Sequence, residues 1–269
     1  TLGVTVGVMA LLIALALMTG LQGELRDRIV GSSAHIFVHK VGGYSDYQQD
    51  LTALSQMPRV LAAAPVIHGL GMISGGSGSG FVKIKGILPE KEAEVTDVEK
   101  AMQTGSLGAL TPVEGEPPGI IIGRELATSI GSFVGDRVEL LAPEGGSLSP
   151  MGLMPARRVF KVVGLFSLGL YEFDQGYAFV HLDTAKRLVG RDAPDFIELR
   201  VDDMFEAGAI AADATARSRG SIIDQRGSPP LNRRFIRTLL LVLMLFSFVV
   251  SCAAAWIEWT HPNRPERVC

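Results

Sequence analysis

The chain has 269 residues, of which 47% are apolar and 20% charged, and its formal net charge at pH 7 is -3. This composition is typical of a folded protein and argues against intrinsic disorder. The slightly acidic balance lacks the basic surface that binding to a phosphate backbone requires, so nucleic acid is not an expected partner. The only cysteines are Cys252 and Cys269, so the middle of the chain must be stabilised by its own hydrophobic core.

The first 23 residues contain no charged side chain. At about 1.5 Å per residue, this run is long enough to cross a hydrocarbon core of about 30 Å. The sequence therefore predicts a transmembrane helix over residues 1–23 that continues as helix to about residue 30. A cleaved signal peptide is the alternative, because Ala14-Leu15-Ala16 has the small-x-small form of a cleavage site. One face of the helix carries small residues and predicts close packing against another helix. These residues are Gly3, Gly7, Ala10 and Ala14.

A second apolar run, residues 238–257, has twenty residues without a charge and predicts a second transmembrane segment. Two such segments would place residues 31–234 on the opposite side of the membrane from both chain ends. Arginines flank the second run on both sides, so their distribution does not orient the chain. Because the chain starts without Met and without a basic flank, we expect its natural start to lie upstream.

The segment between the two runs alternates helix and strand patterns and predicts a mixed α/β domain of the α+β class. The run GGSGSG, residues 75–80, lacks the lysine and the following helix of a phosphate-binding loop. An alternating strand pattern, FVKIKGIL, follows it, so we predict a flexible hairpin tip. The stretch PEKEAEVTDVEKAM predicts an acidic helix with an exposed charged face.

The most regular part of the sequence begins at Gly119. It predicts a buried strand at Ile120–Ile122 and then a helix that directs Leu126, Ile130 and Phe133 inward. A strand over 137–142 follows. The sequence RRVFKVVGLF, residues 157–166, is the expected antiparallel partner of that strand.

The connection between these two strands, residues 143–156, has fourteen residues, whereas hairpin loops usually have about two to five. Its prolines and glycines predict no regular strand or helix. Because prolines lower the entropy lost on docking and methionines adapt to irregular apolar surfaces, we predict a projecting arm that binds another molecule. The alternative is that the same apolar residues fold back onto their own domain.

Arg157 and Arg158 follow the connection directly. Adjacent strand residues point to opposite faces, so we expect at least one of these arginines to be free for a carboxylate on the binding partner. The complete set of predicted binding residues is Leu148, Pro150, Met151, Leu153, Met154, Pro155, Arg157 and Arg158.

The stretch GDRVELLAPEGGSLSPMGLMPARRVFKVVGLFSLGLYEFDQGYAFVHLDTAKRLV, Gly135 to Val189, resembles the membrane subunit of lipoprotein-releasing (Lol) ABC transporters, the LolC/LolE family. The resemblance extends to VKIKGILPEKE, GIIIGRELA and VTVGVMALLIALALMTGLQGELRDRIVG and covers about residues 1–215. It implies a MacB-like periplasmic core in which 143–156 forms a long β-hairpin, the hook, with Pro150 and Met151 at its tip. It also implies that Arg158 supports contact with the carrier. LolC-type proteins have an arginine in the preceding strand, where this chain has Glu139.

The resemblance further implies a multi-pass permease subunit of the bacterial inner membrane, with two transmembrane helices flanking the periplasmic domain. It would extract lipoprotein cargo and hand it to a periplasmic lipoprotein carrier, together with a cytosolic ABC ATPase and a second permease subunit. No cofactor, metal or catalytic residue is implied, and the chain has no Walker A motif. The family has four membrane helices, and the match fades beyond Gly220, so the second run is off the family pattern.

Two other functions fit the sequence less well. A MacB-like or FtsX-like permease or regulatory subunit of efflux or cell division would share the extracytoplasmic architecture, but such proteins lack the long hook. A membrane-tethered hydrolase would need a convergent catalytic set. The close pair His181 and Asp183 is better interpreted as the start of a helix, with Asp183 or Thr184 as its cap.

Overall fold

The computed structural model describes most of the segment between the two apolar runs. The described residues are 5, 7–9, 11–18, 20, 34–40, 43–44, 46–149, 152–203, 206–208, 210–211 and 221–224. The chain divides into two units, residues 1–226 and 227–269, and every described residue lies in the first unit. The predicted second transmembrane segment at 238–257 and the hook tip, Pro150 and Met151, lie outside the described residues.

The described positions of the first apolar run are helical. Residues 11–18 form a continuous piece of helix whose apolar side chains are exposed. Within the described ranges, no helix combines the length and the apolar character needed to cross a membrane. Gly7 and Ala14 of the predicted packing face lie in described helix, and Gly3 and Ala10 lie outside it. The transmembrane helix and its packing face therefore stay predictions.

The middle segment is a mixed α/β structure, as its alternating patterns predicted. Its strands are β1 (Ile36–Lys40), β2 (Val60–Ser74), β3 (Ser79–Ile87), β4 (Met102–Thr104), β5 (Gly119–Gly123), β6 (Arg137–Ser149), β7 (Gly152–Phe166), β8 (Tyr177–His181), β9 (Phe196–Val201) and β10 (Ser221–Asp224). Its α-helices are α1 (Tyr47–Ser55), α2 (Pro89–Val95), α3 (Arg124–Ile130), α4 (Tyr171–Gly176) and α5 (Leu182–Val189). Short 3₁₀ helices cover Glu99–Ala101 and Leu107–Leu110.

Six strands close into a barrel in the order β2, β3, β8, β5, β7 and β6, and β6 pairs back with β2. Strand alternation sends one set of side chains into the barrel, where they form the largest hydrophobic cluster. Val138 and Leu140 of β6 meet Phe160 and Val162 of β7 in this cluster, and all four are buried. The barrel is therefore filled by side chains and provides a rigid base for whatever its strands carry.

Strand β2 belongs to two sheets. Its second half forms part of the barrel, whereas its first half pairs with β9, which continues the second sheet through β1 to β10. Helix α1 covers this sheet with Leu51 and Leu54, and Ile210 and Ala211 join the same cluster. Because one fifteen-residue strand runs through both sheets, the barrel and the second sheet form one continuous structure.

The prediction from prolines and glycines that residues 143–156 contain no regular strand is wrong, whereas the β-hairpin that the family resemblance implied is present. Strand β6 runs to Ser149 and β7 begins at Gly152, so the hook is a paired extension of two barrel strands. The pairing is interrupted only between Ala142 and Ser147. Pro155 lies in this interruption, where its missing N–H does not break a ladder hydrogen bond. The prolines are therefore compatible with strands at this position.

Two predicted orientations are also wrong. Phe133 was expected to face inward but is 53% exposed, because α3 ends at Ile130 and Gly131 turns the chain in a left-handed conformation.

Glu92 was expected on an exposed acidic face but is fully buried. It accepts a hydrogen bond of 2.7 Å from Lys85 Nζ, which also donates to Glu198 at 2.9 Å. A buried cation thus compensates two buried carboxylates, which sequence spacing alone does not reveal.

The hairpin predicted at residues 75–80 is present, but its tip is not free. The N–H of Ser77 donates to the carbonyl of Ile130 at 3.0 Å, and the N–H of Gly76 donates to the Ser132 hydroxyl at 3.1 Å. The tip is thus fixed against the end of α3, in contrast to the flexible tip that the sequence suggested.

The predicted helix after β8 begins at Leu182, and His181 Nδ1 accepts the N–H of Asp183, so His181 is the cap instead of Asp183 or Thr184.

Candidate functional site

The hook is the candidate site because it leaves the barrel. Strand β6 pairs with β2 only through Glu139, Leu140 and Leu141, whereas its pairing with β7 continues through Ser147 to Ser149. Beyond the barrel the two strands have only each other as neighbours in the described pairing. An exposed two-stranded extension of this kind presents both its backbone edges and its side chains to a partner.

Two described side chains of the hook beyond the barrel are exposed, whereas Ala156 at its base packs against the barrel core. Met154 is 59% exposed, and Pro155 is exposed as well. The backbones of Leu148 and Leu153 pair across the hairpin, but their side chains lie outside the description. Met154 is therefore the described apolar side chain that the hook offers to a partner.

The base of the hook packs closely on the end of α5. Gly145 lies so near this helix that a Cβ there would overlap the carbonyl oxygen of Leu188. Gly190 ends α5 in a left-handed conformation with φ 72°, and this places the turn beside Gly145. Only glycine at position 145 permits this approach.

An ion network also joins the hook base to the domain. Arg191 Nη2 donates to Glu144 Oε2 at 2.6 Å, and Arg191 Nη1 donates to Asp195 Oδ1. Asp195 in turn accepts the backbone N–H of His68, in β2, at 2.8 Å. A planar guanidinium suits this arrangement because its separate nitrogens can bind two carboxylates at once. The network therefore links β6, the turn after α5, and β2.

Arg157 and Arg158 point to opposite faces of β7. Arg157 lies on the outer face, where it donates to Glu139 through Nε and, at 2.8 Å, through Nη2. This hydrogen bonding lowers the pKa of the Glu139 carboxyl below its usual range. Arg158 lies opposite Leu140 on the other face and is half-buried. Among the described residues Arg158 has no ion-pair partner, in contrast to Arg157.

A row of three apolar residues, which the sequence did not predict, crosses the outside of the barrel next to the hook strands; one of the three is exposed and two are half-buried. Phe81 of β3 is 85% exposed and lies opposite Met72 of β2, which in turn lies opposite Leu141 of β6. The alternation of FVKIKGIL contained a signal for this row, since Phe81 shares a face with Lys83.

The ion pair between Glu144 and Arg191 was also missed, because the two residues are separated by 47 positions and no local pattern connects them.

The structure thus brings together part of the predicted site. Met154, Pro155, Arg157 and Arg158 lie in one described strand, β7, although Arg157 is occupied by Glu139. Pro150 and Met151 lie outside the described residues. Across the described ranges, no group of three or more His, Cys, Asp or Glu side chains is arranged to hold a metal ion. The arrangement offers an exposed methionine, Met154, near a half-buried arginine, Arg158.

The model of the MacB-like periplasmic core domain family matches residues 1–217. The chain belongs to this family. The matched residues include both sheets up to residue 217 and the segment 143–156.

Curated relatives of this MacB-like chain carry the names that the sequence resemblance indicated, which confirms that resemblance. The chain is 34% identical over 220 residues to the lipoprotein-releasing system transmembrane protein LolC of Xylella fastidiosa (strain Temecula1), covering 81% of this chain and 52% of the relative. It is 28% identical over 271 residues to LolC of Neisseria meningitidis serogroup B, covering 95% and 64%. It is 25% identical over 214 residues to LolE of Haemophilus influenzae, covering 77% and 50%.

The chain spans about half the length of the Xylella and Haemophilus relatives. Among solved structures, the periplasmic region of MacB from Actinobacillus actinomycetemcomitans is similar at 13% identity, covering 72% of this chain and 89% of that chain, with a TM-score of 0.45. A similarity of that strength adds nothing to the family assignment.

Proposed function

We propose that this protein is a permease subunit, or the part of one, of an ABC transporter that extracts lipoproteins from the bacterial inner membrane. It passes them to a periplasmic lipoprotein carrier, which binds the hook. The observation that carries this proposal is the hook itself: two barrel strands continue beyond the barrel as a paired hairpin and leave Met154 exposed. The names of the curated relatives support lipoprotein release as the process.

The geometry of the hook supports a role in binding. A hairpin that is already paired loses less conformational freedom on binding than a flexible loop of the same length. Its base is fixed by Gly145 and by the Glu144–Arg191 ion pair, so Met154 is held at a defined place on the domain. A carrier that accepts lipidated proteins must itself have apolar surface, which suits a partner that offers Met154.

The remaining partners follow from the same proposal. The apolar side chains of residues 11–18 are exposed on a helix, which supports insertion of this segment into a membrane with residues 31–234 in the periplasm. A second permease subunit would pack on the small-residue face of that helix. ATP hydrolysis is assigned to a separate cytosolic ATPase, because no Walker A motif occurs in the sequence.

Capture of the periplasmic carrier tests the proposal. The purified full chain should retain the carrier, and Met154→Asp should lose most of this binding, because a charge at an apolar contact must be desolvated. Val113→Asp is the matched control, since Val113 is 64% exposed but belongs to a loop outside the hook. Equal carrier binding by both variants and the unchanged protein would count against the hook as the binding element.

A further inference from the structure

The hook leaves the barrel at a point where strand pairing does not determine its direction. Ala142 pairs with Ala156 and Ser147 pairs with Met154, so four residues of β6 lie opposite a single residue of β7. A bulge of this kind interrupts the ladder and allows the strands to bend. The angle between the hook and the barrel must therefore be determined by other contacts of residues 143–146.

The structure shows where those contacts are. Glu144, in the middle of the bulge, accepts a hydrogen bond of 2.6 Å from Arg191 Nη2. Its neighbour Gly145 lies directly against the carbonyl of Leu188. Both contacts are made to the end of α5 and the turn that follows it, so this part of the domain holds the bulge.

Arg191 is held in place independently of the hook. Its second guanidinium nitrogen, Nη1, donates to Asp195, and its own backbone N–H donates to Lys186 at 3.0 Å. Asp195 is fixed by the N–H of His68 at 2.8 Å and through its carbonyl, which lies 2.9 Å from His39 Nδ1. Through Asp195, Arg191 thus connects the bulge to β1 and β2.

We infer that Arg191 is a positioning residue for carrier binding: by holding Glu144 it sets the angle at which the hook leaves the barrel. The inference rests on the proposed function of the hook, but it concerns a residue that would not touch the carrier. It makes the hook a preorganised arm whose direction depends on one partly exposed ion pair.

The test is Glu144→Gln in the purified full chain, which removes the charge on the hook and leaves the Arg191–Asp195 pair intact. Amide hydrogen exchange at residues 147–154 should become faster and the carrier affinity should fall, each by about three-fold, the size expected for a partly exposed ion pair. The thermal midpoint of the domain should stay unchanged. Glu114→Gln is the matched control, because Glu114 is exposed and has no partner among the described residues.

Two further measurements separate positioning from general stability. Arg191→Lys keeps one charged contact and should restore part of the affinity that Arg191→Gln loses. Salt screens the Glu144–Arg191 ion pair, so added salt should speed amide exchange at residues 147–154 in the unchanged protein. It should hardly do so in Glu144→Gln, because that variant has no such ion pair. Unchanged exchange and affinity in Glu144→Gln would overturn the inference. If Met154→Asp still abolished carrier binding, the proposed function would stand without it; if Met154→Asp had no effect, the proposed function would fail.

Discussion

Glu139 of β6 and Arg157 of β7 form an ion pair on the outer face of the barrel, at the base of the hook. One of their two hydrogen bonds, between Arg157 Nη2 and Glu139 Oε2, has a length of 2.8 Å. The two residues are diagonal neighbours across the antiparallel pair, since Glu139 lies opposite Val159 and Arg157 lies opposite Leu141. An acidic residue at position 139 thus neutralises one of the two arginines that the sequence marked for partner binding.

This pair predicts a pH dependence of stability. The pKa of Glu139 is lowered from its ordinary value of 4.5 by the hydrogen bond from Arg157. A carboxyl with a lowered folded-state pKa stabilises the fold above its unfolded pKa, and this contribution is lost as the pH falls through the folded pKa. Glu139→Gln should therefore be less stable than the unchanged protein at neutral pH, and the difference should shrink below about pH 4.5.

Thermal unfolding from about pH 3 to pH 7 measures this difference. Glu114→Gln provides the comparison, because its side chain is exposed and without a partner among the described residues. A gap between Glu139→Gln and the unchanged protein that stays constant over the whole pH range would contradict the assigned ion pair.

Arg158 is predicted to contribute directly to carrier binding. It lies at the base of the hook, is half-buried and has no ion-pair partner in the described part of the chain. Arg158→Glu should weaken carrier binding by about five-fold at low salt and by less at high salt, because a charge at the rim of an interface acts mainly through long-range attraction.

Titration of the carrier against both proteins by fluorescence or calorimetry measures this change. Arg137→Glu is the control of equal charge, since Arg137 is exposed at the start of β6, away from the hook. An equal loss of affinity in both variants would show that net charge, and not position 158, is responsible.

The buried Lys85 is predicted to be essential for stability. Its ammonium group compensates Glu92 and Glu198, and their charges raise its pKa despite the desolvation that lowers it. Lys85→Met should lower the free energy of unfolding by about 3–5 kcal/mol, because two carboxylates remain buried without a cation. Since burial raises the pKa of an uncompensated carboxyl, the variant should regain stability as the pH falls.

Urea unfolding of Lys85→Met and the unchanged protein at two pH values measures both the loss of unfolding free energy and its recovery at the lower pH. Lys83→Met is the matched control, because Lys83 lies two residues earlier on β3, where its Nζ is 5.3 Å from the centre of the Tyr177 ring. A loss for Lys85→Met no larger than for Lys83→Met would show that the buried carboxylates do not depend on Lys85.

Gly145 is predicted to be required for the close packing of the hook base. Gly145→Ala should lower the free energy of unfolding by about 1–3 kcal/mol or displace the hook, because the new methyl group would overlap the Leu188 carbonyl. Gly176→Ala should have little effect, since there is open space around Gly176 and its conformation suits other residues. Chemical denaturation together with hydrogen exchange at residues 147–154 distinguishes lost stability from a displaced hook.

Local patterns predicted the barrel strands well. The patterns of 137–142 and 157–166 correctly predicted two antiparallel partner strands, because strand side chains alternate with a period of two. The local pattern missed the hook strands, which only the family resemblance implied, because Pro155 suggested a loop. A bulge in the pairing accommodates this proline. Strand propensity does not show where a ladder is interrupted.

Long-range contacts were beyond local patterns. Glu92 looked exposed because its helix is acidic, but its burial depends on Lys85 and on Glu198, which is 113 positions from Lys85. The same holds for the hook base, where Arg191 meets Glu144 across 47 positions. Such pairs form only after the strands have assembled, so a single sequence contains no local sign of them.

The proposed function requires contact between the hook and the carrier. A photo-reactive amino acid placed at position 154 of the full chain and irradiated with the purified carrier tests this contact, with the same amino acid at position 113 as the control. We expect a crosslink to the carrier from position 154 and none from position 113. Crosslinking only from position 113, or none from either position while the carrier is still bound, would contradict the claim.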